Sequence, residues 1–147
     1  MSDLYTLHPI AVHFPIALLL TGAAFKLSSE WSYRPAFQSV SLWLLRVGAV
    51  MAAAAAGLGL LAAKTVPHVP AAWETMADHK ALGLWAAGMA LVLWGLEEWN
   101  RRTSAVWRVW GVRLLWMAVV ALLVAAGNEG GELVYLHGVG VQAAPHL

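Results

Sequence analysis

Histidines are the residues of this chain whose type and placement best suit chemistry. Four apolar segments alternate with short polar connections, as in a chain that crosses a membrane four times. One face of the membrane then carries the start of the first and third segments and the end of the second and fourth. Each of the six histidines falls at or beyond one of these ends. Imidazole is rare and costly near lipid, so the cluster predicts a functional site whose chemistry is haem ligation, metal binding or proton handling. The six are His8, His13, His68, His79, His137 and His146.

The composition is that of a small polytopic membrane protein. Hydrophobic residues make up 61% of the 147 residues and charged residues only 12%, whereas soluble domains carry about 25% charged residues. We therefore expect residues 1–147 to form a single transmembrane domain. The net charge of +1 gives no reason to expect a nucleic-acid partner. The absence of cysteine excludes disulfides, Cys-ligated zinc, iron–sulfur clusters and c-type haem attachment.

Four apolar segments are each close to the ~20 residues that cross a hydrocarbon core. A helix satisfies its own backbone in lipid, so the predicted fold is an all-α integral membrane four-helix bundle. Small residues at four-residue spacing predict close helix contacts at Gly48, Ala52 and Ala56 and at Gly83 and Ala87. The predicted spans are Pro9–Leu27, Val40–Ala63, His79–Trp99 and Val109–Asn128, the last continuing toward His137.

Basic residues predict the orientation of the bundle. Seven of the nine lie around the first and third connections, and only Lys64 and Lys80 lie on the other side. The positive-inside rule then places both termini and the histidines on the outer, periplasmic face of a bacterial inner membrane. Six tryptophans near the inner ends fit an aromatic belt, and they are Trp31, Trp43, Trp94, Trp99, Trp107 and Trp110.

Three spans bring histidines to one depth. His8 and His13 are five residues apart, about 140° around a helix, so they face different neighbours. Asp78 is a candidate N-cap that places His79 in the first turn of the third span. In the sequence NEGGELVYLHGVGV, two adjacent glycines, Gly130 and Gly131, are expected to break or bend the fourth helix before His137. The expected hydrogen-bond partners that orient the histidine rings are Glu129, Glu132 and Tyr135.

Three stretches of sequence resemble a known bacterial membrane family. They are LHPIAVHFPIALLLTG at the start, His79-Lys80-x-x-Gly83 in the middle and GGELVYLHGVGV at the end. Together they resemble the family labelled domain of unknown function 2231, over nearly the whole chain. The resemblance implies four transmembrane helices in a layout similar to small b-type cytochromes. It carries over four histidines, His8, His13, His79 and His137, and leaves His68 and His146 outside the motifs.

Three functions follow from these observations. The first is a membrane electron-transfer subunit that binds one or two b haems through His8, His13, His79 and His137 at the outer face. Its partners would be the lipid bilayer, a quinone and an outer electron carrier or redox complex. The second is an outer-face metal-handling protein, and the third is a structural or assembly subunit of a larger membrane complex.

Independent catalysis and proton transport are disfavoured by the same layout. Apart from Ser2, the serines lie on or near the inner side, away from the histidines, so a nucleophile–base pair is not expected. The inner halves of the spans are expected to lack a deep ionisable residue. Within the haem hypothesis, the expected best-buried axial pair is His13 with His79 or His137, and His8 serves a second site.

Overall fold

The computed structural model describes residues 4–32, 34–66, 69–101 and 106–140. Four long α-helices account for most of them, and a short 3₁₀ helix, Pro70–Ala72, precedes the third. The described residues contain no strand. The all-α prediction is therefore confirmed for this part of the chain. The helices are α1 (Leu4–Ser32), α2 (Pro35–Thr65), α3 (Trp73–Asn100) and α4 (Val106–Tyr135).

Each helix is long and apolar enough to cross a membrane. Their lengths, 28 to 31 residues, exceed the ~20 residues that a hydrocarbon core requires. The four predicted spans are confirmed, and each helix extends beyond the predicted bounds. The first helix also contains both Pro9 and Pro15.

Two local predictions at the helix ends were wrong. Asp78 does not cap α3, because the helix begins a full turn earlier, at Trp73, and its N-cap residue is Ala72. Gly130 and Gly131 do not break α4, which continues to Tyr135. The α4 helix ends where Gly138 takes a left-handed φ of 62°, and the Val139 N–H donates to the Leu133 carbonyl at 2.8 Å. Glycine suits this position because it has no Cβ to clash.

The helices pack in chain order around a common axis. α1 lies along α2, α2 along α3 and α3 along α4, with a shorter contact between α4 and α1. The first and third helices therefore face each other across the bundle. The centre is filled by fully buried apolar side chains, including Leu19, Leu45, Ala90, Leu93 and Val119.

Small residues allow α1 and α2 to approach closely, as predicted for span two. A Cβ built on Gly48 would lie 2.9 Å from Leu19 Cγ, and Leu19 is fully buried. By contrast, a Cβ on Gly83 would meet no atom within 4 Å. The predicted close contact at Gly83 was therefore wrong, although Ala87 is buried.

Gly48→Ala should lower the free energy of unfolding by about 1–3 kcal/mol, because the added methyl group overpacks a full core. Gly83→Ala is the matched control, which should be neutral or stabilising by up to about 1 kcal/mol, since alanine has the higher helix propensity. Thermal unfolding of the two variants in detergent measures the difference. Equal unfolding temperatures would contradict the close approach at Gly48.

Candidate functional site: a histidine pair between α1 and α3

Two imidazoles meet across the bundle at the end where α1 and α3 begin, here called the histidine end. The ring centroids of His8 and His79 are 6.0 Å apart, and the ring planes are inclined by 77°. Each residue lies in the second turn of its helix, and each is partly buried. Facing helices thus bring together two histidines that are far apart in sequence.

Each imidazole is oriented by a backbone carbonyl of the next helix. His8 Nδ1 lies 3.0 Å from the Ala55 carbonyl oxygen, and His79 Nδ1 lies 2.9 Å from that of Ala126. A carbonyl oxygen can only accept, so Nδ1 must carry the donated proton. In the neutral ring, Nε2 then keeps its lone pair, which is the form in which histidine binds a metal.

Glycine makes room for both rings. A Cβ on Gly59 would lie 2.8 Å from Cε1 of His8, and a Cβ on Gly130 would lie 3.0 Å from Cε1 of His79. Any larger residue would push the ring away from its carbonyl. The sequence offered no signal for this role of Gly59, and Gly130 was predicted to bend the helix instead.

His13, which was expected to be the best-buried ligand, is exposed. Its Nδ1 lies 2.5 Å from the carbonyl oxygen of Pro9 in the same helix. The five-residue separation turns His13 to a different side of α1 from His8, and that side is exposed and does not face the interior of the bundle. The observed close pair is His8 with His79, and His13 lies outside it.

His137 follows the C-terminal end of α4 and lies near Glu132 of the same helix. Its Nε2 lies 3.8 Å from Glu132 Oε1, and the Thr75 hydroxyl donates to the same oxygen at 3.5 Å. Glu129 is half-buried and Tyr135 is strongly exposed. Across the described ranges, no group of three or more histidine and carboxylate side chains could hold a metal ion.

A buried ion pair occupies the opposite, charged end of the bundle. Lys26 Nζ lies 2.8 Å from Glu97 Oε1, and the Trp116 indole N–H donates to the same oxygen at 3.0 Å. Lys26 and Glu97 are 9% and 7% exposed. This buried pair, which lies near the ends of α1 and α3, was not predicted from the sequence. An acid within the apolar span Pro70–Asn100 was the available signal, since a charge there requires a partner.

The two polar sites are separated by an apolar core. Lys26 follows His8 in α1 by 18 positions, which corresponds to about 27 Å of helix. Most fully buried side chains at intermediate levels are apolar, for example Leu19, Ala49 and Ala90, and the buried Ser41 hydroxyl donates to the Gly22 carbonyl. Protons or ions therefore have no chain of buried polar groups to follow among the described residues.

Together these features define a polytopic membrane protein, an all-helical four-helix bundle with a partly buried imidazole pair at one end. The family described as "Predicted membrane protein (DUF2231)" matches residues 4–143, and the chain belongs to this family. No curated protein and no solved structure is significantly similar to it.

Proposed function

We propose that the chain is a membrane electron-transfer subunit in which His8 and His79 would hold one b-type haem. The observation that carries the proposal is the facing pair of imidazoles whose Nδ1 atoms are both engaged by carbonyls. A four-helix bundle commonly holds a cofactor between side chains of facing helices. Haem iron supplies one-electron chemistry, and its axial imidazoles influence the reduction potential.

The spacing of the rings suits two ligands on a single metal. With ring centroids 6.0 Å apart, both imidazoles would lie close enough to contribute to one metal centre, since metal–imidazole bonds are about 2.0–2.1 Å long. Among the described histidines only these two rings are brought together, and His68 and His146 lie outside the described residues. The proposal is therefore one haem per chain rather than two.

The chain's own residues have three roles in the proposed site. His8 and His79 supply the two Nε2 lone pairs. The carbonyls of Ala55 and Ala126 fix the ring tautomer and keep the imidazoles basic. Gly59 and Gly130 leave the space that the rings of His8 and His79 occupy.

Electron exchange is proposed to occur at the histidine end alone. The apolar core of about 27 Å toward the charged end supports this, because it contains no second ligand pair among the described residues. With the basic residues gathered at the other end of the bundle, the histidine end faces the periplasm of a bacterial inner membrane. A quinone and an outer electron carrier are the proposed redox partners.

A reduced-minus-oxidised spectrum of the purified protein, with haem extracted and iron counted per chain, tests this function. The expected result is the spectrum of b haem with two imidazole ligands, and one haem for each chain. Iron, copper or zinc without haem would support metal handling instead. Protein that assembles fully in its native membrane without haem or metal would favour a structural subunit.

Gly59→Ala and Gly130→Ala should each reduce haem occupancy, because the new methyl group would displace the adjacent ring. Overpacking of this kind costs about 1–3 kcal/mol, which corresponds to roughly a 5- to 150-fold loss of affinity if it falls on the bound state. Haem titration of the apoprotein measures the change.

Gly57→Ala and Gly127→Ala serve as controls for these variants. A Cβ at either position meets no atom within 4 Å, so haem affinity should be unchanged. Equal affinities in all four variants would show that the two glycines do not position the histidines.

A further inference from the structure

The two hairpins of the chain, α1 with α2 and α3 with α4, share one burial pattern. α2 begins at Pro35 and α4 begins 71 positions later, at Val106. Nine of the ten buried residues that the structure describes in α3 and α4 lie 71 positions after a buried residue of α1 or α2. Examples are Leu19 with Ala90, Leu45 with Trp116, and Ala52 with Leu123. The residue types mostly differ, so the repeat concerns packing positions.

The histidine contacts repeat with the same separation. His8 and His79 are 71 positions apart, and each meets a carbonyl 47 residues further along the chain. The glycines beside the two rings, Gly59 and Gly130, are also 71 positions apart. The hairpins are therefore equivalent halves, related by an approximate two-fold axis along the bundle. Parallel repeats of this kind are a known architecture of membrane proteins.

Equivalent residues can touch each other only near that axis. His8 and His79 do so at the histidine end. Lys26 and Glu97, which are likewise 71 positions apart, do so at the charged end, with 2.8 Å between Nζ and Oε1. The histidines are identical, whereas Lys26 and Glu97 carry opposite charges.

This difference gives the two hairpins complementary surfaces. Two lysines or two glutamates at these buried positions would repel each other, and a lysine with a glutamate attracts. We propose that the chain is built from two equivalent hairpins and that the Lys26–Glu97 pair on their two-fold axis selects the second hairpin as the partner of the first. A hairpin carrying Lys26 thereby rejects a second copy of itself. Buried polar pairs are known to specify helix partners in this way.

The groups around the pair shape the outcome of a charge exchange. Glu30 Oε1 lies 3.9 Å from Lys26 Nζ, and Glu30 Oε2 lies 3.0 Å from Arg113 Nε. The Trp116 indole N–H depends on Glu97 as its acceptor. Exchanging the charges would bring a glutamate near Glu30 and leave the indole without that acceptor, so recovery should be incomplete.

Reversing one charge at a time, and then both, tests the attraction. Lys26→Glu and Glu97→Lys should each lower the unfolding temperature in detergent by about 10 °C or more, since an uncompensated buried charge is strongly destabilising. The double variant should regain about half or more of the summed loss in unfolding temperature of the two single variants. Arg101→Glu, at an exposed ion pair, is the control and should shift the temperature by about 2 °C or less. A double variant as unstable as the two single changes combined would overturn the proposal.

Co-expression tests the selection of a partner. The Lys26→Glu chain carries an acid at positions 26 and 97, and the Glu97→Lys chain carries a base at both. A hairpin of one chain can therefore form the ion pair only with a hairpin of the other chain. With different tags on the two chains, we expect them to copurify as a mixed dimer, and two tagged copies of the unaltered chain to remain separate. Absence of the mixed dimer would overturn partner selection, even if the double variant regains stability. Neither measurement depends on haem.

Discussion

His8→Gln and His79→Gln are each expected to abolish tight haem binding. Glutamine is similar in size and polar, but it cannot replace an axial imidazole. The fold should survive, because each imidazole makes one hydrogen bond to a backbone carbonyl, a contact worth about 1 kcal/mol. Haem content after purification and haem titration of the apoprotein measure the effect.

His13→Gln and His137→Gln are the matched controls. The His13 ring is exposed and bonded within its own helix, and the nearest acid to His137 is Glu132. Neither substitution should change haem content. Loss of haem in His13→Gln together with retention in His8→Gln would restore the pairing that the sequence favoured.

The sequence was sufficient to predict the four helices of this fold and to name both histidines of the candidate pair among its candidate ligands. Hydropathy predicts four spans because each must match the thickness of a bilayer. The predicted topology then places His8 and His79 at the same depth. The direction of each ring was not predictable, because that depends on how far the helices rotate about their axes when they pack. His13 is the clearest case, because the ring expected to be among the best buried is exposed.

Lys26→Met should lower the free energy of unfolding by about 3 kcal/mol or more. The change removes the cation from Glu97, which is 7% exposed, and leaves its Oε1 with the hydrogen bond from the Trp116 indole N–H. Breaking a buried pair by removal of one member typically costs about 3–5 kcal/mol. Thermal or denaturant unfolding in detergent measures the loss.

The variant Lys26→Met with Glu97→Met should be close to the unaltered chain in stability. Replacing a buried ion pair by apolar residues of similar volume is often neutral or stabilising, because both desolvation costs disappear. If the double variant were no more stable than Lys26→Met alone, the two side chains would not be energetically coupled.

The ion pair at the charged end could not be predicted from either span taken alone. Lys26 is one of the seven basic residues that predict the orientation, and no local pattern in the sequence links it to Glu97 on the third span. Their contact depends on the approach of two helices that are not neighbours in the chain. The 71-residue repeat was also not predictable from residue types. Equivalent positions such as Leu45 and Trp116 are both buried but carry different side chains.

Electron paramagnetic resonance of the oxidised protein tests the central claim most directly, because it reports the axial ligands of ferric haem. We predict a six-coordinate, low-spin signal typical of two imidazoles, which persists in a variant carrying both His13→Gln and His137→Gln. The same signal should disappear in His8→Gln and in His79→Gln. A low-spin signal that survives simultaneous replacement of His8 and His79 would contradict the account.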